Sequence, residues 1–266
     1  MNVSFEKWKD WNAVTCTVGQ NIMVIGISAG PRILALRYND GENILYEDHT
    51  GFGVGAWQMH GGHRFTIAPE NDDSYHPDND PCEVTIEDTA IHIAAKQRPN
   101  GLALSLVISA SPQGGFYIDH VFVNKGSADW EGALWAITCI PRSHVLSGSC
   151  TTNVINFCPG TDASKWKHAD GRVTVEYGDF RGKAGWYSAA PELTAISNEG
   201  KFTITSPDTT APELCVDNGS NVEIFVSAGW AELETLSEKY IVAPGSSVAH
   251  RQHWQFIPGN AISFYK

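Results

Sequence analysis

Apolar and polar positions alternate with a period of two along most of this chain, the signature of half-buried strands rather than helices. Val14 to Val18 and Asn21 to Ile27 read as a first hairpin, and Arg32 to Tyr38 follows the turn text Ala29-Gly30-Pro31. Asp40-Gly41 signals a turn before a short strand at Asn43 to Tyr46. Further strands are predicted at Cys82 to Glu87, Ala90 to Gln97, Leu102 to Ala110, Phe116 to Asn124 and Trp130 to Ile140. Pro99-Asn100-Gly101 and Pro112-Gln113-Gly114-Gly115 turn the chain between them, as in a meander. The middle, Pro141 to Gly185, is less regular and predicts short strands with long loops. Alternation resumes at Trp186 to Ala190, Thr194 to Ser197, Lys201 to Thr205, Leu214 to Asp217, Val222 to Trp230 and Ser247 to Ile257. No helix longer than two or three turns is predicted. With no linker, repeat or low-complexity segment, one all-β domain over residues 1–266 is the simplest organisation.

One stretch breaks the alternation. His60 to Pro81 gathers histidine, arginine and carboxylates between Gly61-Gly62 and the prolines Pro69, Pro77 and Pro81. Glycine opens backbone angles closed to other residues, and proline fixes φ. Only Arg64 to Ala68 reads as a strand; the remainder predicts a rigid polar loop fed by the glycine-rich segment 51–62. Such loops often carry binding groups above a stiff scaffold, although a solvated crossover has the same composition. Arg64 offers forked donors suited to hydroxyls or a carboxylate, or a salt bridge to Glu70 or a nearby aspartate. His63 and His76 can exchange protons at neutral pH, or serve as structural hydrogen-bonding residues. Asp78-Asn79-Asp80 only faintly suggests a calcium loop, because the later glycine and glutamate are missing; solvated turn residues fit better, and no metal is expected.

The text Val222 to Glu234, read as one strand, places Val222, Ile224, Val226, Ala228, Trp230, Glu232 and Glu234 on one face. Carboxylates ending an apolar face need partners or a task, and burial would raise their pKa into the general-base range. A bulge near Gly229 would instead turn both into water. His120, between Ile118 and Phe122 at period two, reads as a core histidine. Lys183, in a glycine-rich loop, is either solvated or positioned to meet an anionic sugar group. Trp57, Trp135 and Trp186 are candidates for a sugar-stacking platform.

Composition narrows the partners. A net charge of -12 argues against nucleic acid or an anionic membrane surface. Nine tryptophans in an acidic, polar-looped chain suit polyhydroxylated ligands. The six cysteines form no Cys-x-x-Cys pair, a poor zinc signal, and most sit in apolar text as small hydrophobes. No apolar leader or membrane-length run is visible, so a reduced cytoplasmic setting is expected, or a periplasmic one if a leader has been removed. No Ser-His-Asp pattern, phosphate loop or dinucleotide fingerprint is present, and no cofactor is expected.

Three places then resemble the galactose-mutarotase-like (aldose 1-epimerase-like) superfamily, and a bacterial branch of it. They are Gly61-Gly62-His63-Arg64-Phe65-Thr66-Ile67-Ala68-Pro69-Glu70; Tyr117 to Gly126 with Val123-Asn124-Lys125-Gly126; and Ala231-Glu232-Leu233-Glu234-Thr235 followed by Ala243-Pro244-Gly245 and His253-Trp254-Gln255-Phe256. The likeness runs from about Asn21 to Phe256. It implies a large antiparallel β-sandwich (a supersandwich) and a mono- or oligosaccharide ligand, an acidic sugar being one option. It also implies a late glutamate that takes the anomeric proton, here Glu234 with Glu232 as rival. Arg64 falls on a substrate-contacting arginine, with Glu70, Glu232, Lys183, Trp57, Trp135 and Trp186 as further substrate-side candidates. The family's general acid is a mid-strand histidine. The corresponding text, Leu134-Trp135-Ala136-Ile137-Thr138, has none, so His63 or His76 would supply the acid. Two alternatives stay open: a non-catalytic carbohydrate-binding protein, and, more weakly, a polysaccharide lyase or glycoside hydrolase built on Glu232 and Glu234.

Overall fold

The computed structural model describes residues 1–48, 55–142, 145–176, 178–207 and 211–259; Gly51 and Gly53 of the glycine-rich segment lie outside them. The first strands are β1 (Asn2–Trp8), β2 (Trp11–Val18), β3 (Asn21–Gly26), β4 (Arg32–Tyr38) and β5 (His63–Ala68). Then come β6 (Glu83–Ile86), β7 (Ala90–Ala94), β8 (Leu102–Ala110), β9 (Phe116–Asn124) and β10 (Trp130–Pro141). The middle holds β11 (Val145–Ser149), β12 (Ile155–Phe157), β13 (Trp166–Ala169), β14 (Arg172–Val175) and β15 (Gly182–Trp186). The last are β16 (Glu192–Ile196), β17 (Gly200–Thr205), β18 (Val222–Val226), β19 (Trp230–Leu236), β20 (Tyr240–Val242) and β21 (Ser247–Pro258). Helical structure among the described residues is limited to single turns, and no helix is long and apolar enough to cross a membrane.

Two antiparallel sheets stack face to face, the β-sandwich that the resemblance implies. One runs β1-β2-β3-β4-β5-β10-β19-β18-β15-β12, with β20 added to β10. The other runs β13-β14-β11-β16-β17-β21-β9-β8-β7-β6. The core lies between them, where β5 packs on β8 and β10 on β9. In β9, every second residue from Phe116 to Asn124 is buried, so one face of the strand fills the interior. Trp186, Trp254, Phe116, Phe122 and Phe202 are the bulkiest fully buried side chains. Burying a phenylalanine-sized side chain contributes about 1.5–3 kcal/mol, so this double layer supplies the rigid floor on which a site can sit.

Several predicted elements move. Asn43 to Tyr46 is not a strand; Ile44 and Leu45 tuck inward as a loop. Leu214 to Asp217 forms short helical turns, not a strand. The strand expected at Trp186 to Ala190 lies earlier, as β15. The text Val222 to Glu234 is two strands, because Ser227 N donates to Trp230 O (2.9 Å) and closes a hairpin. That turn reverses the parity: Val222, Ile224 and Val226 face the core, whereas Glu232 and Glu234 face away from it. The carboxylates therefore do not continue an apolar face.

Candidate functional site

The outer face of the first sheet carries the site. Register across β5, β10, β19, β18 and β15 aligns Arg64, Ile137, Glu234, Glu223 and Gly185 in one row. The next row is Cys139, Glu232, Phe225 and Lys183. Partnered residues in neighbouring strands share a face, so both rows look out together. A hollow of about 780 Å³ opens above them. Its walls come from the loops carrying Tyr46, Trp57, Glu70 and Tyr75 on one side and Cys158 to Thr161 on the other.

Gly61 and Gly62 bring the chain into this floor. Both have positive φ (68° and 61°), and a Cβ at either would collide with backbone carbonyls, of Tyr46 and Ile33 respectively. Gly62 N donates to Tyr46 O (2.7 Å), and Tyr46 N donates to Cys139 O (2.9 Å), so Tyr46 is pinned beside β10. Its ring stacks on Trp230 (5.7 Å, 26°).

Lys183 anchors the floor. Its Nζ lies 2.7 Å from Glu223 Oε2 and 2.8 Å from Glu234 Oε2, and 4.7 Å from the Trp135 ring centre. Trp135 Nε1 also donates to Glu234 Oε2 (2.8 Å). Burial pulls the ammonium's pKa down, but Glu234 and then Glu223 outweigh it and hold it above its ordinary value. Burial raises the Glu223 carboxyl, with Lys183 opposing. Gly185 leaves room for that carboxyl: a Cβ there would sit 3.0 Å from Glu223 Oε1. Glu234 is fully buried, and its Oε1 has no hydrogen-bond partner among the described residues.

Glu232, by contrast, lines the hollow. Trp230 Nε1 donates to its Oε1 (3.3 Å), and the Cys139 thiol lies 3.9 Å from the same oxygen. Its pKa is raised, first by burial and then by Glu234, while Arg64 and Lys183 pull it down. Burial pushes the Cys139 thiol well up.

Arg64 forms the cationic wall. Its guanidinium centre lies 5.2, 5.6 and 5.9 Å from the rings of Trp57, Tyr75 and Trp135, and Nη1 donates to Ser74 O (3.3 Å). It makes no salt bridge among the described residues, to Glu70 or any other carboxylate; Glu70 instead accepts from the Tyr75 hydroxyl. Arg32, its partner across β4, reaches the Gln58 and Met59 carbonyls and so braces the segment bearing Trp57. The loop after β5 is stapled from both ends. Ser74 Oγ donates to Ile67 O (2.8 Å), and buried Arg98 pairs with Asp78 and donates to Asp73 O (2.9 Å). Burial and then the bond to Glu70 push the Tyr75 phenol up to about 12.

The sequence-predicted residues thus divide. Arg64, Glu70, Glu232, Lys183, Trp57 and Trp135 meet at the hollow, with Glu234 directly beneath it. His63 does not join them. It follows the opposite parity from Arg64 and points between the sheets, fully buried. There its Nε2 meets His120 Nε2 (2.7 Å), and its Nδ1 meets Thr138 Oγ1 (2.9 Å). His120 Nδ1 faces the His250 carbonyl (2.8 Å) and must carry hydrogen, so His63 donates through Nε2 and accepts the Thr138 hydroxyl at Nδ1. Burial drives the pKa of His63 well below 6.5, which suits this neutral chain and not a cleft acid. His76 lines a separate crevice with Arg98 and stands 3.9 Å from Asp78. Trp186 is in the core, donating to Ser149 O (2.7 Å), so it cannot stack on a ligand. Asp78 is engaged by Arg98 and Asp80 by Lys96, and no cluster of metal-ligating residues exists among the described residues. Glu223, Tyr46, Tyr75, Phe225 and Arg181 were not singled out in the sequence. Parity from Lys183 and Glu232 across paired strands would have exposed Glu223 and Phe225; the loop residues carry no such signal.

No family model matches the chain, and no curated protein matches it in sequence. Solved structures do share its fold. A galactose mutarotase-like protein from Lactobacillus casei superposes with a TM-score of 0.67 at 12% identity, over 92% of this chain and 100% of the other. A galactose mutarotase related enzyme from Lactobacillus acidophilus gives 0.58 at 9% identity, over 92% and 97%. A TPR-domain containing protein from Parabacteroides distasonis gives 0.60 at 12% identity, over 93% of this chain and 47% of that one. The chain therefore has the galactose mutarotase-like β-sandwich fold; at these identities the likeness is one of fold.

Proposed function

We propose that the hollow binds a saccharide and interconverts its anomers, as an aldose 1-epimerase does, with Glu232 as the carboxyl group at the reacting centre. The observation that carries this reading is a carboxyl with raised pKa on the wall of a hollow lined by Trp57, Trp135, Tyr46 and Trp230. Aromatic faces stack on the C–H face of a pyranose, and a carboxyl poised near neutrality can exchange protons with the anomeric hydroxyl. In this reading the role expected for Glu234 passes to Glu232, supported by the burial of Glu234 under Trp135 and Lys183. Glu234 and Glu223 hold Lys183 in place, and Arg64 supplies donors for sugar hydroxyls or an acidic substituent. Polarimetry with α-D-glucose, α-D-galactose and α-D-galacturonic acid tests the reading. Anomer interconversion accelerated above the buffer rate is expected with at least one of them.

A second reading, carbohydrate binding without catalysis, is favoured by one fact: among the described residues no imidazole lines the hollow. Calorimetric binding of a sugar with no acceleration of its mutarotation would select that reading.

A further inference from the structure

The reading of the hollow as an anomer-interconverting site leaves it short of an acid. Ring opening needs one proton delivered to the ring oxygen and one removed from the anomeric hydroxyl. Lys183 is committed to Glu223 and Glu234, and both hold its proton more firmly. The Tyr75 hydroxyl is bonded to Glu70, the Cys139 thiol is buried, and burial holds the Tyr46 phenol and the Cys158 thiol, which also line the hollow, above their ordinary values. The guanidinium groups of Arg64 and Arg181 donate hydrogen bonds but keep their protons.

We propose that Glu232, as a neutral carboxylic acid, makes both transfers itself. Its O–H gives a proton to the ring oxygen while its carbonyl oxygen takes the proton of the anomeric hydroxyl. The C1–O5 bond breaks with its electron pair going to O5, which accepts the proton, and C1=O1 forms as O1 loses its own. Glu232 ends as an acid with its two oxygens exchanged. Rotation about C1–C2 and the reverse steps give the other anomer, and no co-reactant is consumed.

The geometry fits such a group. Trp230 Nε1 donates to Oε1, which the Cys139 thiol also faces, and neither of these contacts uses Oε2. Around it stand Trp230, Phe225 and Tyr46, apolar faces that favour concerted transfer over separated charges. The titratable and charged neighbours are Glu234 on the same strand, Cys139 on β10, Arg64 on β5, Lys183 on β15, Glu223 on β18, and Tyr46, Asp48, Glu70, Tyr75, Cys158 and Arg181 on the loops. Burial and the Glu234 charge favour the protonated form, against Arg64 and Lys183.

The test is the pH dependence of kcat for wild-type protein, by polarimetry on α-D-glucose and α-D-galactose from pH 5.5 to 8.5. Bifunctional catalysis predicts a rate falling about tenfold or more as Glu232 loses its proton, and a bowed proton inventory in mixed H2O and D2O. Glu232→Asp should keep the falling profile, and Glu232→Gln should lose activity while its circular dichroism and sugar binding persist. A rate that rises with pH over the same range would overturn the inference and leave the anomer-interconversion reading standing, since a carboxylate base has that sign. Sugar binding with no acceleration at any pH would overturn both.

Discussion

Replacing Lys183 with methionine keeps most of the side-chain stem and removes the only charge between two buried carboxyls. Each Lys183–carboxylate contact, at 2.7 and 2.8 Å, corresponds to about 6 kcal/mol of gross attraction at an effective dielectric constant of about 20. Most of that is offset by desolvation, so the expected net loss is about 3–5 kcal/mol, the range for orphaning buried charge. The loss should depend on pH with a definite sign. Without Lys183 nothing opposes burial at Glu223, and its folded pKa rises further above the unfolded glutamate value of about 4.3. A group raised on folding contributes stability that is present at low pH and lost as pH rises through the folded value. Lys183→Met should therefore cost the full 3–5 kcal/mol near pH 8 and under about 2 kcal/mol near pH 5. Urea unfolding followed by tryptophan fluorescence at the two pH values measures this directly. The double variant Lys183→Met with Glu223→Gln should recover about half of the pH 8 loss. A loss that is the same at both pH values, or below about 1 kcal/mol at pH 8, would refute the claim that the carboxyl pair depends on this lysine.

Other outcomes follow from the same packing. His120 and His250 are fully packed, and burial lowers their pKa values to about 4 and about 3. Groups lowered on folding hold their stability above the unfolded value of about 6.5 and lose it as pH falls, so His120 alone costs about 3 kcal/mol by pH 4. Ring resonances of both should stay flat from pH 8 to 5; titration near pH 6 would contradict the packing. Arg98→Ala should cost about 3 kcal/mol by thermal unfolding and weaken sugar binding, because it frees the loop bearing Glu70 and Tyr75; unchanged affinity would detach that loop from the site. Trp57→Ala should lower sugar affinity about fivefold to tenfold with little loss of stability, whereas Trp186→Ala should cost about 3–5 kcal/mol of stability. Calorimetry and thermal melts of the two variants separate these roles.

The fold was legible because period-two text survives even where loops do not. β4, β8 and β9 fall where Arg32 to Tyr38, Leu102 to Ala110 and Phe116 to Asn124 predict them. The site was legible residue type by residue type but not face by face. His63 and Arg64 are neighbours in one strand, and so are forced to opposite faces; only one of them can reach a cleft. The same rule separates Trp186 from Lys183 in β15, and the hairpin at Ser227 to Trp230 resets it for Glu232 and Glu234. Tyr46, Tyr75 and Cys158 reach the hollow through loop paths that no periodicity encodes.

The central claim, that Glu232 acts on a sugar seated in this hollow, is tested most directly by exchange NMR. Wild-type protein should produce α–β exchange cross-peaks for a saccharide that also shows saturation transfer from the protein. Glu232→Gln should abolish the cross-peaks and keep the transfer. Cross-peaks of full intensity in Glu232→Gln would contradict the account.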